Sequence, residues 1–204
     1  MTRYSVCICI LAAGVPLVSG QTTLSTQLYQ PLTAQQRADW FVLNTIGPES
    51  LAGGVISAGW GTLFNKPHEY GTHWRGFGKR YGMRLTGVSV SNAMEAGIGA
   101  FWGEDPRYER SRSESFRGRL GHVVKMTFLA QNRRGRLMPA YARYIAIPGN
   151  NFISNAWRAD SEATVGNAGI RTLLGFLGRM SGNAFQEFWP DIRQRLGGGK
   201  SPKP

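Results

Sequence analysis

The sequence predicts an all-α protein: a compact bundle of five or six glycine-rich helices, with a short β-hairpin left open near 122–147. Three observations carry this expectation. Apolar and small residues recur three and four apart, as in Met83, Gly87, Val90, Met94, Gly97 and Phe101, which share one helical face. Glycine, serine and alanine repeat at four-residue steps in three separate stretches. Helix start and stop signals bracket those stretches.

Residues 1–20 have the layout of a secretory signal. Arg3 gives a positive start, Val6 to Val18 a short apolar core, and Val18-Ser19-Gly20 the small residues of a cleavage site. The run is too short for a membrane-spanning helix. Both cysteines, Cys7 and Cys9, fall inside it, so the mature chain is expected to have neither disulfide nor thiol chemistry. Residues 21–32 are polar and read as a flexible lead-in to one domain over 33–195, and 196–204 as a disordered basic tail.

Within the domain, Thr33-x-x-Gln36 is a capping box that starts a helix at Ala34. Gly47-Pro48 breaks it, and Pro48 suits the first position of a second helix over about 49–64, with Glu49 near its positive end. That helix carries Gly53, Ser57 and Gly61 in one row and Ser50, Gly54 and Ala58 in the next. Its glycines disfavour a lone helix by about 1 kcal/mol each. Close approach of a second backbone is the compensation that small residues at this spacing permit. The alternative is a helix broken at its glycines.

The stretch 76–108 repeats the device through Ser89, Ala93 and Gly97, with Arg80, Arg84, Ser91 and Glu95 expected on the opposite face. Gly103 offers a left-handed stop, and Pro106 forbids continuation. Residues 107–119 form a mixed-charge linker. His122–Gln131 and Leu137–Ile147 flank a clear turn at 132–136 and pair either as a hairpin or as two antiparallel helices. Pro148-Gly149 interrupts or kinks the second segment. A last long helix over 163–188 carries Gly178 and Gly182 in its small-residue row and closes at Pro190.

Charge bounds the function. Without the first 20 residues the chain holds 23 basic and 12 acidic residues, a formal +11, and 18 of the basic residues are arginine. Guanidinium groups match carboxylate and phosphate geometry. For an exported chain the accessible anions are lipid headgroups or envelope polymers rather than nucleic acid. The candidate anion-binding residues are Arg107, Arg110, Arg112, Arg133, Arg134 and Arg136. No cofactor is called for, and no metal: His68 and His73 are five apart and do not share a helical face.

The segments EDPRY (104–108), AYARY (140–144), FISNAW (152–157) and EFWPDI (187–192) together resemble a group of uncharacterised exported bacterial proteins to which no activity is assigned. The resemblance implies export and a single domain over roughly 33–195. It supplies no catalytic residues.

Two functions remain open. One is a non-enzymatic, basic, envelope-associated helical protein of the periplasm or outer envelope. The other is an exported hydrolase of a cell-wall polymer, with Glu95 as general acid and Glu104 or Asp105 as its partner. The hydrolase needs Glu95 at a cleft. The chain contains no G-x-S-x-G or H-E-x-x-H motif to strengthen it.

Overall fold

The computed structural model describes residues 29–196. The signal-like segment, most of the lead-in and residues 197–204 lie outside the described residues. Six α-helices and one small hairpin make up the described chain: α1 (Ala34–Ile46), α2 (Pro48–Leu63), α3 (Trp74–Trp102), α4 (Phe116–Phe128), β1 (Leu129–Gln131), β2 (Leu137–Pro139), α5 (Tyr141–Ile153) and α6 (Val165–Leu196). No helix among them is long and apolar enough to cross a membrane.

The local signals work as the sequence predicts. Thr33 and Gln36 form the reciprocal capping box, Pro48 opens α2, and Gly103 ends α3 in the left-handed region at φ 76°. Because Gly47-Pro48 breaks the path by a single residue, α1 and α2 together line one side of α3. Arg37 of α1 reaches Ala96 O and Glu104 O, Thr45 meets Asn92, Ser50 O accepts from Arg84, and Thr62 meets Arg80. The pair therefore runs antiparallel to α3 along most of its length.

The other side of α3 is covered by α5, also antiparallel: Gly99 approaches Ala142, and Gly87 approaches Asn150. The outer layer is α6. Its first half packs on α5, with Gly175 against Ile147, and its second half on α4, with Asn183 bonded to Thr127. The layers are thus α1–α2, α3, α5 and α6, with α4 continuing the line of α5.

Both alternatives for 122–147 occur in part. Helices α4 and α5 are separated by three-residue strands, with Ala130 opposite Met138 and the turn at 132–136 between them. Asn132 holds the turn by accepting from the Arg134 and Arg136 backbone N–H groups. Helix α4 starts earlier than expected because Ser115 caps it through Gly118 N–H. Two prolines are more permissive than expected: Pro148 lies inside α5, and Pro190 lies inside α6, which runs on to Leu196. Pro190 deprives Gln186 O of its usual helical donor, and Arg119 Nη2 donates to the neighbouring Glu187 O.

The largest correction concerns which face points inward. On α3 the buried residues include Arg80 and Glu95 of the face expected to be outer, together with Asn92, Ala96 and Gly99, while Gly87 of the expected packing face is also buried. Gly97 and Phe101, assigned to the packing face, point outward. The expected packing row divides accordingly. Gly53 lies against Arg84, and Gly61 against Arg80 and Lys66 O, whereas Ser57 and Ala93 are exposed and Gly97, Gly178 and Gly182 have open space where a Cβ would sit. The glycine that meets α3 most closely on α2 is Gly54, whose added Cβ would lie 2.7 Å from the Tyr81 ring. Small residues thus line the α2–α3 contact, while a buried ion pair ties α3 to α5.

Candidate functional site

The interior is organised by carboxylates. Glu95 on α3 is 3% exposed and accepts at Oε1 from Arg143 Nε of α5 (3.0 Å) and Arg179 Nη2 of α6 (2.8 Å). Arg143 itself is 1% exposed and spends its Nη1 on Met126 O and Thr127 O at the end of α4. One carboxylate thereby joins α3 to α5 and α6. Burial, followed by the neighbouring Arg143 charge, pushes Arg179 down to about 10, so it stays protonated at neutral pH. Arg179 also donates to Pro106 O and lies over the Trp40 ring.

The segment 104–108 extends this network in both directions. Glu104 is 1% exposed, and its Oε2 accepts from Trp102 Nε1 and from Ala142 N–H at the start of α5. A carboxylate there satisfies a helix-start donor and meets the positive end of the helix. Asp105 accepts from Tyr29 Oη at 2.8 Å and from Arg107 through its backbone N–H, Nε and Nη2. Tyr29 is raised well above the usual phenol range by burial and by its bond to the Asp105 carboxylate. Tyr29, near the end of the segment before α1, thus contacts the 104–108 segment.

Tyr108 Oη donates to Glu187 Oε2 at 2.8 Å, and Ser111 N–H donates to the same oxygen. Glu187 Oε1 accepts from Arg119 Nε, whose Nη1 is paired with Asp191. Burial alone raises a carboxyl, yet Glu187 ends below its ordinary value because Ser111 N–H, Arg119 and Tyr108 all bond its charged form. Asp191 is lowered chiefly by its bond to Arg119.

The three candidate catalytic carboxylates are thus brought into one polar interior, but none stands at an opening. The groove between α1 and α3, about 320 Å³ in volume, is lined by Arg37, Ala38, Phe41, Ala93, Ala96, Gly97 and Ala100. Glu95 is not among them. A general acid must reach a substrate oxygen, and Glu95 is enclosed by two guanidinium groups. His68 pairs with Glu69 on an exposed turn, and His122 bonds Glu109 O. Among the described residues no group of three or more His, Cys, Asp or Glu comes together to hold a metal ion.

The candidate anion-binding arginines separate into two kinds. Arg107 is committed to Asp105, Arg110 to Asp191, and Arg133 to Ala100 O at the end of α3. Arg112, Arg134 and Arg136 are exposed, and their side chains make no hydrogen bond or ion pair among the described residues. The bridge from Asp105 to Gln131 and the bond from Arg133 to Ala100 O set the hairpin beside the 103–115 loop. Arg134 and Arg136 lie on the hairpin turn, whereas Arg112 lies beside the start of α4, where Ser111 N–H bonds Glu187.

Sequence reasoning missed Arg143, Arg179, Glu187, Tyr29 and Arg119. All five stand in the distinctive segments around 104–108, 140–144 and 187–192 or bond directly to them, and that clustering was the available signal. No family model, curated protein or solved structure matches the chain, so its chemistry rests on the geometry above.

Proposed function

We propose that this chain is an exported, basic helical protein that associates with the cell envelope and acts without catalysis, binding anionic lipid headgroups or envelope polymer through its exposed arginines. One observation carries this: Arg112, Arg134 and Arg136 are exposed, and their side chains make no bond among the described residues. Glu95, Glu104, Asp105 and Glu187 are buried, and Arg80 and Arg143 are buried as well, so the formal excess of basic residues is carried by the surface. A basic surface attracts anions over a Debye length. The signal-like start and the resemblance to exported proteins support placement in the envelope.

Vesicle flotation tests the proposal. The full chain is expected to float with phosphatidylglycerol-containing vesicles at low salt and to bind less as salt rises. Replacing Arg112, Arg134 and Arg136 by Ser removes on the order of 1 kcal/mol per charge near an anionic surface, so the triple variant binds at least tenfold more weakly. Binding that ignores both salt and these arginines overturns the proposal.

A further inference from the structure

The bundle has two charged ends and, between them, a waist in which α2 beyond its first turn, α3, α5 and α6 show little exposed charge, while Asp39 of α1, Glu49 at the start of α2 and Lys125 of α4 are exposed. One end holds the start of α1, the end of α3, the hairpin and the start of α5, tied by Arg37 to Glu104 O and by Glu104 to Ala142 N–H. The other holds the end of α2, the start of α3 and the α5–α6 connection, tied by Arg80 to Lys66 O and by Ser161 N–H to Glu69. Between them, α2 has no charged residue from Ser50 to Leu63, and α5 has none from Tyr144 to Ile153. On α3 the one charge between Leu85 and Trp102 is the buried Glu95. On α6 the charges between Val165 and Gln186 are Arg171 and Arg179. Both turn inward, Arg171 to Glu162 O, Asn151 O and Asn155 Oδ1, and Arg179 to Glu95.

What the waist shows to its surroundings is large and apolar. Ile56 is 73% exposed, Leu173 68%, and Trp60 and Leu63 stand out similarly on α2. A bundle that meets water on all sides places such residues inside and its charges outside. Here Glu95, Arg143, Thr127 and Asn183 are inside. Helix α5, which runs from one end to the other, has 13 residues and at about 1.5 Å per residue rises roughly 20 Å, about two-thirds of a bilayer's hydrocarbon layer. Exposed tryptophans stand at both rims, Trp60 and Trp74 near Lys66 and Arg75, and Trp102 near Arg133. Aromatic rings beside basic groups suit the boundary between acyl chains and headgroups.

Resting on the envelope association proposed above, we infer that the apolar face of the waist is a lipid-contact surface whose occupant is the acyl-chain layer of a phospholipid bilayer. No described helix by itself is long and apolar enough to cross a membrane. The assembled surface is apolar because the Glu95–Arg143–Arg179 cluster holds those charges together inside, where polar groups in a lipid-immersed bundle find partners. Lipid contact therefore belongs to the folded bundle and not to any one helix.

The experiment uses the full chain with phosphatidylcholine–phosphatidylglycerol vesicles whose acyl chains carry bromine, a contact quencher of tryptophan. The chain is expected to be quenched, and Trp60→Phe to lose a measurable share of the quenching while retaining its circular dichroism and melting temperature. Ile56→Ser and Leu173→Ser are each expected to lower vesicle partitioning about tenfold at high salt, since each removes most of one large apolar contact. Binding that stays salt-sensitive and arginine-dependent but shows no acyl quenching overturns the lipid-contact surface and leaves the headgroup reading standing. Quenching that survives replacement of Arg112, Arg134 and Arg136 at low salt overturns the headgroup reading instead. A stable dimer in solution that Ile56→Ser or Leu173→Ser dissociates assigns the waist to a second copy and also overturns the proposal.

Discussion

Arg143 of α5 donates to Glu95 of α3 across 3.0 Å, with both side chains almost wholly withdrawn from water. Removing one partner strands the other in a low-dielectric interior. Glu95→Gln or Arg143→Ala is expected to destabilise the fold by about 3–5 kcal/mol. A lower urea midpoint with an unchanged slope is the measurement. Glu95→Leu combined with Arg143→Met is expected to cost less than the two single changes summed, by about 1–3 kcal/mol, because the second change removes a charge already stranded by the first.

Glu187 makes stability depend on acid. Its folded value lies below the ordinary 4.5, so its stabilisation is complete at neutral pH and fades as pH falls through the folded value. Asp191, held below its ordinary 3.8, acts in the same direction. The melting temperature is expected to decline as pH drops below about 4.5. Glu187→Gln lowers it at pH 7 and flattens the acid limb. An acid limb as steep in the variant as in the parent would show that other groups control it.

Two glycines two residues apart on α3 should respond oppositely to alanine. A Cβ at Gly76 would run into the Tyr70 and Gly71 carbonyl oxygens, whereas one at Gly78 meets nothing within 4 Å. Gly76→Ala is expected to destabilise by about 1–3 kcal/mol. Gly78→Ala should stabilise by about 0.5–1 kcal/mol through helix propensity and the unfolded chain. Gly97 and Gly178 have the same open surroundings and the same expected gain. Thermal melts of the four variants decide it, and a loss at Gly97 or Gly178 would mean that a partner occupies the space beside them.

The bond from Tyr29 to Asp105 fixes the segment before α1. Tyr29→Phe leaves the ring in place and removes the donor at 2.8 Å. A hydrogen bond to a carboxylate contributes about 1.5–3 kcal/mol. Faster amide exchange over 29–33, with α5 and α6 unchanged, is the expected signature.

Local chemistry was legible in the sequence, and long-range pairing was not. The Thr33 box, Pro48 and Gly103 are read from a few adjacent residues, and each acts as written. The inward face of α3 was legible in part: Gly87 of the apolar stripe is buried, but Gly97 and Phe101 are exposed and Arg80 and Glu95 are inside. Glu95 is drawn inward by Arg143 and Arg179, which meet it from 48 and 84 residues away. No periodicity encodes that partnership. The same holds for Pro190: a proline signals a helix end, but the support Arg119 gives beside it comes from 68 residues earlier in the chain. Glu95, Glu104 and Asp105, considered from the sequence as catalytic carboxylates, are buried and bonded to neighbouring helices and loops.

The 104–111 loop is bonded on one side to Tyr29 and on the other to Glu187, so it closes only when both extremities of the domain are at hand. During synthesis the first three helices leave the ribosome well before Glu187 does. Until then Arg119 and Tyr108 lack their carboxylate, and the polar interior stays open to water. The final helix is therefore the bolt that locks the assembly, and a nascent chain halted short of it is the form a chaperone or protease meets.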